Sequence, residues 1–249
     1  MNTIAERNTL LTKRRCKNNL TNSLRHLGEK TLNIGGFLKQ SFVDFPSNIC
    51  AVIFTNGCNF DCWYCHNRGL IPFSNKPKYD FEEIFEFLKS RRGFLDGVVI
   101  SGGEPTLQKD LEEVIDRIKS LNLKVKLDTN GSSPKILENL LPKLDYVAMD
   151  IKNSLENYGK ITPNPNIENI KKSVEILKAS KVDYEFRTTY SPDITFEDFE
   201  KIGQLIEGAK AFYLQTYNPQ KPDLPRTPVE NYEKVANILK KYVNFVKIR

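Results

Sequence analysis

The 249-residue sequence holds no apolar run approaching the roughly 18 residues needed to cross a membrane. Its first residues lack the continuous apolar core of a secretory signal. A membrane partner is therefore set aside, and a cytoplasmic location is the expectation. Histidine is nearly missing, with His26 and His66 the only two. No cysteine follows Cys65, which excludes a second cysteine-rich centre beyond that point. No internal repeat, low-complexity tract, interdomain linker or nucleic-acid-reading motif appears. What is present, 39% hydrophobic and 27% charged residues, suits a globular protein with one substantial core.

The net charge of +6 is concentrated at one end. Arg7, Lys13, Arg14, Arg15, Lys17, Arg25 and Lys30 face only Glu6 and Glu29, so residues 1–30 carry +5. They read as a basic, flexible N-terminal extension ahead of a domain over residues 31–249. A basic arm docking an acidic partner or nucleic acid is the sharper alternative, though nucleic acid is disfavoured by the missing reading motif.

Beyond residue 30, short β-rich runs alternate with amphipathic helices. Ala51–Thr55, Gly97–Ile100, Lys124–Leu127, Tyr146–Met149, Tyr184–Arg187 and Ala211–Leu214 read as six strands. Asp80 is expected to cap the first intervening helix, and Ser133-Pro134 supplies a cap and first-turn proline for a later one. An Asn-Pro-Asn turn precedes a helix near 167–179. Thr195 with Asp198 opens the next, and Thr227 through Glu230 reads as a capping box for the last. Successive β-then-α units imply parallel strands with right-handed crossovers, hence an α/β fold. A partial barrel and an open doubly wound sheet both fit.

Three of the five cysteines, Cys58, Cys62 and Cys65, fall within eight residues as C-x3-C-x2-C, directly after the first of these strands. That clustering suits a metal site in a reducing compartment better than a disulfide framework. Three thiolates can grip three irons of a cubane cluster, leaving a fourth iron open for chemistry. A structural zinc site competes, but it wants a fourth ligand, and His66 adjoins Cys65 too closely to serve comfortably. Coincidental burial of three such cysteines is the third reading. Cys16 and Cys50 read as structural or bystander thiols.

The later strand ends also carry polar groups. Ser101-Gly102-Gly103-Glu104-Pro105-Thr106 closes the second, Asp128-Thr129-Asn130-Gly131 the third, and Met149-Asp150-Ile151-Lys152 the fourth. Arg187 ends the fifth, and Gln215 follows the sixth. Any one alone could be an ordinary capped turn. Together they resemble an active site gathered at the C-terminal ends of barrel strands. Paired glycines at 102 and 103 would let backbone approach a ligand closely.

With Tyr64 as the aromatic before the last cysteine, the cysteine segment resembles the radical S-adenosylmethionine (SAM) superfamily. The Gly102-Gly103-Glu104 stretch resembles that superfamily's GGE motif. The resemblance implies a partial (βα)6 TIM-like barrel and a [4Fe-4S] cluster on Cys58, Cys62 and Cys65. The open iron would bind SAM, whose reductive cleavage yields methionine and a radical that abstracts hydrogen. The narrower resemblance, over about residues 33–220, is to glycyl-radical enzyme activating enzymes, particularly those serving anaerobic ribonucleotide reductase. It rests on Gly35-Gly36-Phe37 through Val43-Asp44-Phe45-Pro46, the cysteine segment, GGEPTL, LDTNG, MDIK and Phe186-Arg187-Thr188-Thr189.

By that resemblance Tyr64, Cys65, His66, Gly102, Gly103, Glu104, Asp150, Ile151, Lys152 and Arg187 attend SAM. The resemblance also implies that Asp128, Thr129 and Met149 place the SAM carboxylate region, with a bound monovalent cation as the candidate bridge. Asn218 stands where pyruvate formate-lyase activase has a SAM-contacting histidine, and the basic arm has no counterpart in the family. The implied partners are a glycyl-radical enzyme as protein substrate and a flavodoxin or ferredoxin as reductant. A radical SAM enzyme acting on a small molecule, as a deazapurine synthase does, is the nearest rival. A non-enzymatic zinc protein that binds nucleic acid is the more distant one.

Overall fold

The computed structural model describes residues 32–73, 76–219 and 224–249, so the expected basic extension over residues 1–30 lies outside it, with Cys16 and His26. In chain order the elements are β1 (Ile34–Ser41), β2 (Cys50–Thr55), α1 (Phe81–Ser90), β3 (Gly97–Gly102), α2 (Leu111–Lys119), β4 (Lys124–Thr129) and α3 (Pro134–Leu140). Then come β5 (Tyr146–Asp150), α4 (Ile167–Ala179), β6 (Asp183–Tyr190), α5 (Phe196–Leu205), β7 (Phe212–Thr216), α6 (Val229–Leu239) and β8 (Val246–Ile248). They make one eight-stranded sheet whose spatial order is the chain order, β1 to β8. Only β1 runs antiparallel to its neighbour; every later pairing is parallel. Each parallel step from β2 to β8 is bridged by a helix, giving the partial, TIM-like barrel.

The six expected strands are all present, several of them longer than expected, with two more at the edges. β1 escapes the alternation rule because Gly35-Gly36 and Lys39-Gln40 interrupt its apolar pattern. β8 is only three residues long. β6 continues to Tyr190, so Arg187 lies within the strand, opposite Asp150, rather than at its end.

Strand side chains alternate between two faces. The outward set includes Ala51, Ile53, Val98, Ile100, Val125, Leu127, Val147, Met149, Phe186 and Leu214, all fully buried within the main core. Helix residues such as Leu88, Ile115, Leu137, Val174, Ile202 and Leu239 complete that core. Each such side chain contributes about 1.5–3 kcal/mol by leaving water. The inward set is different. At its base Phe45, Cys50, Val52 and Val99 make a small apolar plug, with Lys126 level with Val99, and higher up it carries Ser101, Asp128, Asp150 and Arg187. Cys50 thus belongs to the plug at the start of β2, apart from the cysteine loop that follows the strand's other end.

The helix caps separate local from tertiary control. Asp80 accepts from the Glu82 N–H at 3.1 Å, and Thr195 with Asp198 forms the expected reciprocal capping box. A good cap is worth about 1 kcal/mol. Ser133 occupies its cap position without a side-chain bond, with Pro134 following. Thr227 does not cap α6: Pro228 takes that place, and the Thr227 hydroxyl donates to the Tyr190 carbonyl at 2.6 Å. A tertiary hydrogen bond has displaced the local one.

Candidate active site

The cysteine loop leaves β2 and is tied down by backbone bonds. Gly57 N–H donates to Leu70 O at 2.7 Å, Cys58 N–H to Ile71 O at 3.0 Å, and Trp63 N–H to Ile161 O at 3.2 Å. Arg68 braces the middle, donating to Cys62 O at 3.1 Å and to the Asp61 carboxylate at 2.8 Å. The result places Cys58, Cys62 and Cys65, none in a disulfide, on the wall of one cavity of about 340 Å³. That size falls within the range of ligand clefts.

Burial pushes the Cys58 thiol up to about 11 and raises the Cys62 thiol as well. Desolvated thiols hold their protons unless a cation stands in the proton's place, and a bound metal does that. Among the described residues no three His, Cys, Asp or Glu side chains are arranged around a single metal ion. Three soft sulfur donors spread along one wall, with Lys152 close enough to stabilise negative charge at Cys58 and Cys62, fit an iron–sulfur cluster.

Next to the cysteines, the end of β3 shows why two glycines are needed. Gly102 has φ +109°, and a Cβ there would strike the Thr55 backbone; a Cβ on Gly103 would strike the Gly57 carbonyl. Gly103 N–H donates to Thr55 O and Glu104 N–H to Gly57 O, each at 2.8 Å. The close approach expected for a ligand is therefore first an approach of the chain to itself. It seats the cysteine loop on β3, while both glycines still line the cavity.

Glu104 departs from expectation more sharply. Its side chain is fully buried and is not part of the cavity wall. One carboxylate oxygen accepts from Thr106 N–H at 3.1 Å, the Thr106 hydroxyl at 2.6 Å and the Thr129 hydroxyl at 2.8 Å; the other accepts from Asn130 N–H at 2.7 Å. With four protein donors the side chain is a rivet between the loops after β3 and β4. Met149 and Ile151 are likewise fully buried, on the side of β5 away from Asp150, and their side chains take no part in the wall.

The polar wall is a chain of ion pairs. Asp128 accepts from Lys126 Nζ at 2.6 Å, from the Ser101 hydroxyl at 3.1 Å and from Arg187 Nη1 at 3.2 Å. Arg187 Nε donates to Asp150 at 2.7 Å, and Lys152 Nζ donates to the other Asp150 oxygen at 3.0 Å. Burial alone would raise both carboxyls, but the Arg187 guanidinium and the neighbouring lysines hold them below the usual carboxylate range. Burial would lower the Lys152 ammonium, yet Asp150 keeps it well above its ordinary value. Three cations thus alternate with two carboxylates along this chain, and Lys152 is the one whose charge reaches Cys58 and Cys62.

Tyr64, Trp63 and Tyr217 pack edge to face with ring centroids 5.5–6.3 Å apart, closing the far side. His66 lines the cavity, and its Nε2 donates to the Asn218 carbonyl at 2.8 Å. Asn218 meets the site through that backbone oxygen; its side chain is exposed and absent from the wall. The structure thus gathers the three cysteines with Tyr64, His66, Gly102, Gly103, Asp128, Thr129, Asp150, Lys152 and Arg187. Sequence reasoning gave no role to Phe54 or Lys126, and named Ser101 and Asp44 only within longer stretches, although all four belong to the site or its support. For Lys126 the period-two step back from Asp128 was an available signal; for Asp44, in the loop between β1 and β2, the signal was its place in the Val43–Pro46 stretch.

The Radical SAM superfamily model matches residues 52–206. The "Putative glycyl-radical enzyme activating enzyme" of Methanocaldococcus jannaschii is 35% identical over 234 residues, which cover 87% of this chain and 95% of that protein. A "Probable GTP 3',8-cyclase" of Methanococcus maripaludis is 38% identical over 129 residues, covering 49% of this chain and 42% of that protein. Among solved structures, Streptococcus suis SuiB bound to S-adenosylmethionine superposes with a TM-score of 0.62 at 13% identity, over 77% of this chain and 48% of that one. At that identity the likeness concerns the fold alone.

Proposed function

The chain belongs to the radical SAM superfamily, and from that premise we propose that it is an activase that generates a glycyl radical on a partner enzyme. As a member of the superfamily it is an enzyme that uses a [4Fe-4S] cluster and SAM. Together these cofactors supply, when bound, a one-electron cleavage of the sulfonium and a carbon radical able to take a hydrogen atom. In this reading Cys58, Cys62 and Cys65 hold three irons. Lys152, whose second neighbours are the cysteines, pairs with the SAM carboxylate while keeping its contact with Asp150. Asp150 and Arg187 hold that lysine in place, and the Tyr64 cluster keeps water from the far side.

The observation that carries the choice of substrate is the state of the wall's cations. Lys126, Arg187 and Lys152 are each engaged by Asp128 or Asp150. The wall beyond them offers Phe54, Ser101, Thr189 and Gln215, with Asp44 as a further carboxylate. A triphosphate would want several free cations there. A peptide loop wants neutral donors and acceptors, and among the described residues no pairing joins β8 to β1, so the sheet is open on one side for a loop. The similarity to a glycyl-radical activating enzyme, which spans 87% of this chain and 95% of that protein, supports the same choice.

We assign the partner to the glycyl-radical enzymes, with anaerobic ribonucleotide reductase as the specific candidate and a flavodoxin or ferredoxin as the electron donor. The test is anaerobic incubation of reconstituted protein, SAM and a strong reductant with each glycyl-radical enzyme of the source genome. The expected result is a persistent doublet in electron paramagnetic resonance, lost when the target glycine is changed to alanine. Because the partial match to a GTP cyclase favours a small-molecule substrate as the second reading, GTP and other purines are assayed in parallel. Tight coupling of SAM cleavage to one of them, with no protein radical, overturns the activase reading.

A further inference from the structure

The loop after β4 holds Asn130 rigidly, although the reading above gives that residue no task. Its backbone N–H donates to the buried Glu104 carboxylate at 2.7 Å. Just after it the loop is pinned twice from α4, by the Ser173 hydroxyl donating to Gly131 O at 2.7 Å and by Asn169 Nδ2 donating to Ser132 O at 2.8 Å. The side-chain amide is oriented too. Its oxygen accepts from Ser132 N–H at 2.9 Å, so the NH2 group must point the other way. There it donates to Asn59 Oδ1 at 3.0 Å and to Cys58 Sγ at 3.9 Å, within the longer reach of a sulfur acceptor. The Phe60 N–H also donates to Cys58 Sγ, at 3.4 Å.

We propose that Asn130 is a positioning residue for the cluster, its amide N–H directed at Cys58 Sγ so as to raise the cluster's reduction potential. The physics is electrostatic. One-electron reduction adds negative charge that spreads onto the sulfurs, and an N–H dipole aimed at a ligand sulfur stabilises the reduced state more than the oxidised one. A donor held from three directions pays no reorganisation when the charge arrives. The inference rests on Cys58 being a cluster ligand, which is checked separately: Cys58→Ala keeping wild-type iron content would refute that assignment and not the hydrogen bond.

The test is a redox titration, without SAM, of the full-length reconstituted protein followed by electron paramagnetic resonance. Asn130→Asp keeps the acceptor for Ser132 N–H but removes the donor; Asn130→Ala removes both. Both variants should show a more negative midpoint, with the reduction equilibrium falling by up to about tenfold, or about 59 mV for one electron. Asn59→Ala removes the competing acceptor and should leave the midpoint at or slightly above wild type. Wild-type midpoints in both Asn130 variants, with iron fully loaded, overturn the proposal. If neither variant loads iron, asparagine labelled with 15N at the side-chain amide decides. The reduced wild-type cluster should then show a nitrogen hyperfine coupling that persists in Asn59→Ala. No coupling, or its loss in Asn59→Ala, overturns the assignment.

Discussion

The two faces of the sheet are built from alternate residues of the same strands, yet they are held together by opposite means. On β4, Val125 and Leu127 point outward into a core of many interchangeable apolar contacts, whereas Lys126 and Asp128 point inward into a short chain of ion pairs. β5 and β6 repeat the division, with Val147 and Phe186 outward and Asp150 and Arg187 inward. The outer face is redundant: each contact is small and the loss of one is local. The inner face is the reverse. Each ion there has already lost most of its water, and its stability depends on particular partners. The site is assembled on the face that tolerates change least, so stability and chemistry are coupled on one side of the sheet and separate on the other.

Removing the shared partner on the inner face breaks that chain at its centre. Arg187 serves both Asp128 and Asp150, and all three side chains are well under one-third exposed. Arg187→Met keeps much of the volume but leaves two buried carboxylates short of a cation. The expected loss is about 3–5 kcal/mol, the range for breaking a buried ion pair from one side. Urea denaturation of the apoprotein measures it. A loss below about 1 kcal/mol, typical of exposed pairs, would mean that water reaches these carboxylates and the two faces do not differ in kind.

A comparable deletion on the outer face should cost stability without touching the site. Leu127→Ala removes a fully buried side chain one residue away from Asp128. The expected cost is about 2–5 kcal/mol from lost burial and the cavity left behind. Iron content and SAM affinity after anaerobic reconstitution should match wild type. Loss of either in a variant that still folds would show that the outer core sets the position of Asp128, and the separation of faces would fail.

The sequence made the outer face readable and the inner one only in part. The continuous apolar runs in Ala51–Thr55 and Gly97–Ile100 are a local signal, and the parallel strands follow from such runs. The cysteine loop is equally local, since its three thiols lie within eight residues. Pairings such as Arg187 with Asp150 depend on the register of β5 against β6, which no short window contains. The internal role of Glu104 was hidden for a related reason: two of its four donors, Thr129 and Asn130, lie 25 and 26 residues further along the chain. Asn218 meets the site through its backbone carbonyl, which accepts from the His66 ring across 152 residues of sequence, a contact no short window contains.

The smallest expected effect separates the faces by the shape of a curve rather than its height. Asp128 and Asp150 have folded-state pKa values held below the ordinary carboxylate value of about 3.9. A carboxyl depressed on folding adds stability that is present above its unfolded pKa and lost as pH falls through its folded one. Their contribution should therefore be constant from neutral pH down to about pH 5, begin to fall near the unfolded value, and vanish only at strongly acid pH. Leu127→Ala should lower the whole profile of unfolding free energy against pH by a uniform amount, because no proton is involved. Asp150→Asn should instead flatten the acid limb, since a group that took up a proton on unfolding has gone. Urea titrations of the apoproteins between pH 3 and 7 give both profiles. Parallel curves for wild type and Asp150→Asn would show that Asp150 titrates alike in the folded and unfolded chains, and would remove the electrostatic half of the contrast between the two faces.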